Sequence, residues 1–225
     1  MRILTIPKAV LADKTIHIHF LKTLRYSLYI ITHPLDGFWD LTHEKRGSIA
    51  AANFIVLMTV LTKIWEIRFT GFLFSQVYWP NVKIYMLAAG VLFPIILWCV
   101  GNWGLTTLFD GKGTLKNIYM GTAYALTPYV LIRIPLIFFS NIVTADEGAF
   151  YVFFYKFVTF WVGALLLAAM MQIHEYTLSK TILFAIATVF AMLVIIFILL
   201  LFFSLISDGF VYFVSLYKEL IFRLY

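Results

Sequence analysis

Residues 179–206 read SKTILFAIATVFAMLVIIFILLLFFSLI, 28 positions with one charge, Lys180. An apolar run of about 18 residues or more reads as a bilayer-spanning helix, because hydrocarbon offers no water to satisfy an open backbone. Toward the N terminus the same texture returns at 150–173, 115–143 and 82–108, and again from Ser48, where an uncharged core ends at Thr62 before Lys63, Glu66 and Arg68. Lys63 falls near the far interface, where a lysine can snorkel, and Trp65 and Trp79 suit an aromatic belt at that level. Pro94, Pro128 and Pro135 lie inside spans and predict kinks. Polar loops at 110–113, 146–148 and 174–177 separate the spans. The expected fold is all-α: a polytopic membrane bundle of about five transmembrane helices, preceded by an interfacial amphipathic helix. The expected division is an N-terminal segment over 1–48, a five-span membrane domain over 49–207 and an amphipathic tail over 208–225.

Composition agrees. The chain is 63% hydrophobic and 12% charged, with a mean hydropathy of +0.94, against roughly 25% charged in soluble domains. A net charge of +6 could suggest nucleic acid. The largest group of basic residues, seven of the 17, precedes the first span, so orientation and anionic lipid headgroups account for them instead. The single cysteine, Cys99, sits mid-span and reads as a buried structural thiol. Residues 1–12 lack the apolar length and cleavage site of a signal peptide, so the first span is expected to act as its own insertion signal.

Residues 14–31, KTIHIHFLKTLRYSLYII, place Phe20, Leu24, Leu28 and Ile31 on one helical face, with Lys22 and Arg25 elsewhere. Too charged to span, this helix is expected in the interface with its basic side chains at anionic headgroups. The next stretch, THPLDGFWDLTHEKRGS, carries Pro34, Gly37 and Gly47 and reads as a turn and a short amphipathic piece. Lys and Arg number ten on the N-terminal side of the spans against five on the other. The positive-inside rule then puts the N terminus in the cytoplasm and, after five spans, the C terminus outside.

With that orientation, Asn53, Asn102, Thr106, Thr122, Gln172 and His174 all fall in the cytoplasmic half. Asn102 and Thr106, four apart, share a helix face, and Gly101 and Gly104 would let a neighbouring helix approach. Two readings are open: interhelical hydrogen bonds, or a polar pocket for a solute, headgroup or partner peptide. Arg133, deep in the third span, is the most costly residue to insert. It is expected either in an outer cluster with Asp146, Glu147 and Lys156 or as a gating or substrate-binding cation. Asp110-Gly-Lys-Gly113 lacks the GxxxxGK[ST] pattern of a phosphate loop and follows no strand, so it reads as a tight turn. His17, His19 and His174 do not reach three metal ligands with workable spacing. No GxSxG, HExxH or nucleophile–base pair stands out. No metal, no cofactor and no enzymatic activity are expected.

Three stretches together resemble the bacterial branch of the Yip1 domain family: HPLDGFWDLTHEKRGS (33–48), NWGLTTLFDGKGTLKNIYMGTAYALTPYVL (102–131) and YKELIFR (217–223). The resemblance implies five spans, a cytoplasmic N terminus and a short tail on the far side. Eukaryotic members act in membrane traffic and associate with small GTPases through their cytoplasmic side, where this chain has only a short segment. The function expected is an accessory, adaptor-like protein of a bacterial plasma membrane. Another membrane protein would dock on Asp36, Trp39, Asp40, Lys45 and Arg46 and on Asp110, Lys112 and Lys116. The alternative is a small transporter, or a lipid- or solute-binding protein, with Asn53, Asn102, Thr122, Gln172 and Arg133 along its path.

Overall fold

The computed structural model describes residues 8–75, 82–109, 111–144 and 146–224, with side chains over 20–223 of these. They form eight helices: α1 (Lys8–Thr32), α2 (Pro34–His43), α3 (Ile49–Phe69), α4 (Ile84–Leu108), α5 (Leu115–Ala125), α6 (Thr127–Phe139), α7 (Gly148–His174) and α8 (Leu178–Leu224). Five stretches are long and apolar enough to cross a membrane: α3, α4, α5 with α6, α7, and α8. The all-α, five-span bundle expected from the sequence is therefore what the chain forms, and the protein is an integral membrane protein.

Local chemistry sets where the spans begin. The Ser48 hydroxyl accepts from the Ala51 N–H at 3.1 Å, and the Thr114 hydroxyl accepts from Asn117 N–H at 3.3 Å. Each satisfies a donor that a helix start leaves open. From its cap α3 runs on through Lys63, Glu66 and Arg68 to Phe69, past the end of its uncharged core. The third span is not the single helix of 115–143. It breaks at Leu126 into α5 and α6 and ends at Phe139. Pro128 stands in the first turn of α6, where its missing N–H costs nothing. Pro94 and Pro135 are carried inside α4 and α6.

Lipid is as apolar as leucine, so close packing rather than hydrophobicity joins the spans. Small residues accordingly fill the centre: Ala51 and Ala52 on α3, Gly121, Ala123 and Ala125 on α5, and Ala169 on α7. The N-terminal segment shares this core. Thr23, Ser27 and Ile30 of α1 face inward, while Leu21 and Leu28 stay exposed. Of the apolar face read from the sequence, Phe20 and Leu24 pack against the core and Leu28 stays exposed. Phe38 and Leu41 of α2 are buried, and α2 packs on α7. The Tyr124 hydroxyl ties three helices by donating to the Thr23 carbonyl and accepting from the Ser48 N–H, both at 3.3 Å.

Helix α8 has 47 residues, about 70 Å at 1.5 Å per residue. It packs on α4 and α7 through Thr181, Ala185 and Thr188 near its start. The residues placed by sequence in a tail from Asp208 continue α8 without a break as far as Leu224, and all from Phe210 to Arg223 are exposed.

Candidate functional site

The end of the bundle that carries α1 and α2 also carries the α4–α5 loop and the α7–α8 turn. There a polar cluster joins α4 to α7. Asn102 and His174, 1% and 2% exposed, are linked Oδ1 to Nε2 at 2.8 Å. The Gly113 N–H donates to His174 Nδ1 at 3.3 Å. A backbone N–H can only donate, so Nδ1 accepts and the imidazole proton sits on Nε2, aimed at Asn102. The Thr106 hydroxyl donates to the Asn102 carbonyl at 2.6 Å, and Thr122 receives a weak bond from the Cys99 thiol at 3.7 Å. Asn102, Thr122 and His174 line a cavity of only about 10 Å³, room for one water at most.

The loop above is held down tightly. A Cβ on Gly113 would lie 2.6 Å from His174 Cε1, and one on Gly111 would lie 2.6 Å from Thr106 Cβ. Neither glycine has positive φ. What these glycines allow is a close approach of the loop to His174 and Thr106. The Lys112 ammonium pairs with Glu175, which His43 of α2 approaches at 3.6 Å. The Lys112 hydrogen bond holds the Glu175 carboxyl below its ordinary range. The pair therefore forms above that range, and it is lost only as pH falls through the lowered value. Glu175 itself adopts a left-handed backbone at φ 56°, and Lys45 does so at φ 54°. Among the described residues these are the two non-glycine positions that do, and both flank this end.

Asn102, Thr106, Thr122 and His174 come together as one face, and Lys112 is tied to it through Glu175. Asn53 does not join them. It is exposed on α3 and accepts from the Tyr119 hydroxyl at 2.7 Å. Gln172 is half-buried on α7 and makes no hydrogen bond among the described residues. Gly101 does admit α8, with Met192 Cγ 3.4 Å from its virtual Cβ, but Gly104 faces open space. Asp110, Trp79 and the side chains of His17 and His19 lie outside the described residues. On α2, Trp39 stacks on His43 at 3.6 Å between ring centroids, and Arg46 reaches Asp40 at 3.2 Å and also pairs with Glu44. Lys116 is exposed at the start of α5.

Arg133 is not in a cluster with Asp146, Glu147 and Lys156, which are exposed. It is 3% exposed, and its Nη1 meets Glu66 Oε1 at 3.1 Å. Nη2 donates to the Tyr155 carbonyl and to the Thr159 hydroxyl, both at 3.2 Å, and the guanidinium lies 3.3 Å from the Tyr155 ring centroid. Tyr129 donates to the other Glu66 oxygen at 3.0 Å, and Lys63 lies 3.4 Å from it. Glu66 is the partner that sequence reasoning missed. A usable signal exists: α3 and the α5–α6 span run the same way, and Glu66 and Arg133 sit nearly equally far from their starts.

The chain thus combines five spans, a packed N-terminal helical pair and a glycine loop locked over a buried histidine. Residues 28–208 match the family model described as the Yip1 domain. No curated protein and no solved structure matches significantly. With most of its length covered by that match, the chain belongs to the Yip1 domain family.

Proposed function

We propose that this protein is a non-enzymatic membrane adaptor that docks another membrane protein on the composite face made by α2, the α4–α5 loop and the α7–α8 turn. The observation that carries this reading is the lock on the loop. Gly113 bonds His174, Lys112 pairs with Glu175, and Glu175 reaches His43, so three separate elements present their charges as one fixed surface. A rigid surface loses little entropy on binding. Asp36, Trp39, Asp40, Lys45, Arg46, Lys112 and Lys116 supply its contacts. A solute path through Asn53, Asn102, Thr122 and Gln172 gains less support, because the cavity at Asn102 and Thr122 is about 10 Å³ and neither Asn53 nor Gln172 lines it.

The ten-to-five bias of Lys and Arg supports a cytoplasmic position for this face in a plasma membrane, with the C terminus outside. Basic residues of the N-terminal segment would then sit against anionic headgroups.

The test is gentle purification of the tagged protein from native membranes, followed by mass spectrometry. Wild type should carry a membrane protein in stoichiometric amount. Lys116→Glu, which alters the face without touching the lock, should lose it. An unchanged partner in Lys116→Glu and in Asp36→Lys would overturn the docking face.

A further inference from the structure

Alongside the bundle, an apolar groove of about 480 Å³ opens between α1, α3 and α6, within the roughly 300–1,000 Å³ of ordinary ligand sites. Leu21 and Leu28 of α1 form one wall, Phe54 and Met58 of α3 the floor, and Val130 and Leu131 of α6 the other wall. Its level in the bundle is fixed by α1, where the Thr23 hydroxyl lies 3.1 Å from that of Ser48, the cap of α3. Met58 is ten residues beyond Ser48, about 15 Å down the helix. The groove therefore reaches from the surface to about the middle of a hydrocarbon core roughly 30 Å thick. That is the depth of one leaflet.

The mouth is basic. Arg25 lines the groove and also a shallow shelf beside it, with Lys22, Tyr26, Tyr29 and Arg46. Arg46 is already neutralised by Asp40 and Glu44. Among the described residues, Lys22 and Arg25 have no acidic partner, and both are exposed. Two unpaired cations at the top of an apolar slot one leaflet deep match an anionic headgroup above an acyl chain.

We infer that the α1–α3–α6 groove holds one anionic glycerophospholipid, its phosphate at Lys22 and Arg25 and an acyl chain along Phe54 and Met58. Bound there, the lipid wedges α1 against the first and third spans. The site shares none of its key residues with the docking face.

The full chain is reconstituted in vesicles of equal phosphatidylglycerol and phosphatidylcholine, extracted in mild detergent and weighed by native mass spectrometry. Wild type should retain one lipid per chain, chiefly phosphatidylglycerol. Lys22→Gln with Arg25→Gln, both exposed and harmless to folding, should lower the phosphatidylglycerol preference about thirtyfold. Leu21→Trp, at the exposed lip, and Met58→Trp, on the floor, should lower retention of either lipid. Equal retention of both lipids by wild type overturns the site, as does undiminished retention by Leu21→Trp. A second copy of the chain in place of lipid overturns it as well.

Discussion

At the scale of single residues, the decisive pair is Glu66 with Arg133. Each is over nine-tenths buried, and a buried charge without a partner is costly. Removing one partner of a buried pair costs about 3–5 kcal/mol, whereas replacing both with apolar or neutral groups is often close to neutral. Arg133→Met alone should therefore lower the melting temperature sharply, and Glu66→Gln with Arg133→Met should recover most of the loss. Thermal unfolding in detergent would show this; a double variant as unstable as the sum of the singles would mean the charges do not act as a pair. Asn102 and Thr106 could be placed on one face from spacing alone, and so they lie. Their partner His174 could be placed only at the same level, because spacing along one helix says nothing about rotation against another. For the same reason Arg133 pointed toward its sequence neighbours Asp146 and Glu147, while its true partner stood a whole span away.

At the scale of elements, helix starts were legible and internal breaks were not. The starts read at Ser48 and at 115 agree with α3 and α5, which the structure shows capped by Ser48 and Thr114. The division between α5 and α6 was hidden, since Pro94, Pro128 and Pro135 look alike in sequence and only Pro128 coincides with a new helix. The turn after α3 shows how tightly elements meet. A Cβ on Gly71 would lie 2.3 Å from the Ser140 carbonyl oxygen, and the Gly71 N–H donates to the Ser140 hydroxyl at 2.9 Å. That contact is backbone and cannot swing aside. Gly71→Ala should cost about 1–3 kcal/mol, typical of overpacking, measured as a lower unfolding midpoint. A wild-type midpoint would show that the turn after α3 is free to move off α6.

At the scale of the whole molecule, the five-span architecture was plain in the sequence because hydropathy is set by the bilayer, not by partners. The way α1 and α2 share the bundle core was not, since an amphipathic helix reads the same lying on lipid or on protein. Orientation can be tested directly, because Cys99 is buried and leaves a silent background. With the α1/α2 end inside, a membrane-impermeant maleimide given to intact cells should label Ser215→Cys and spare Lys112→Cys until the cells are opened. The reverse pattern would turn the proposed topology over.

The buried ion pair also imposes a schedule on how the chain is made. Arg133 follows Glu66 by 67 residues, which at about 5–20 residues per second of synthesis is roughly 3–13 seconds. For that interval the first span holds its carboxylate without the Arg133 guanidinium. Lys63, one turn away and already translated, is a counter-charge on hand, and in the folded chain it still lies 3.4 Å from the Glu66 carboxylate.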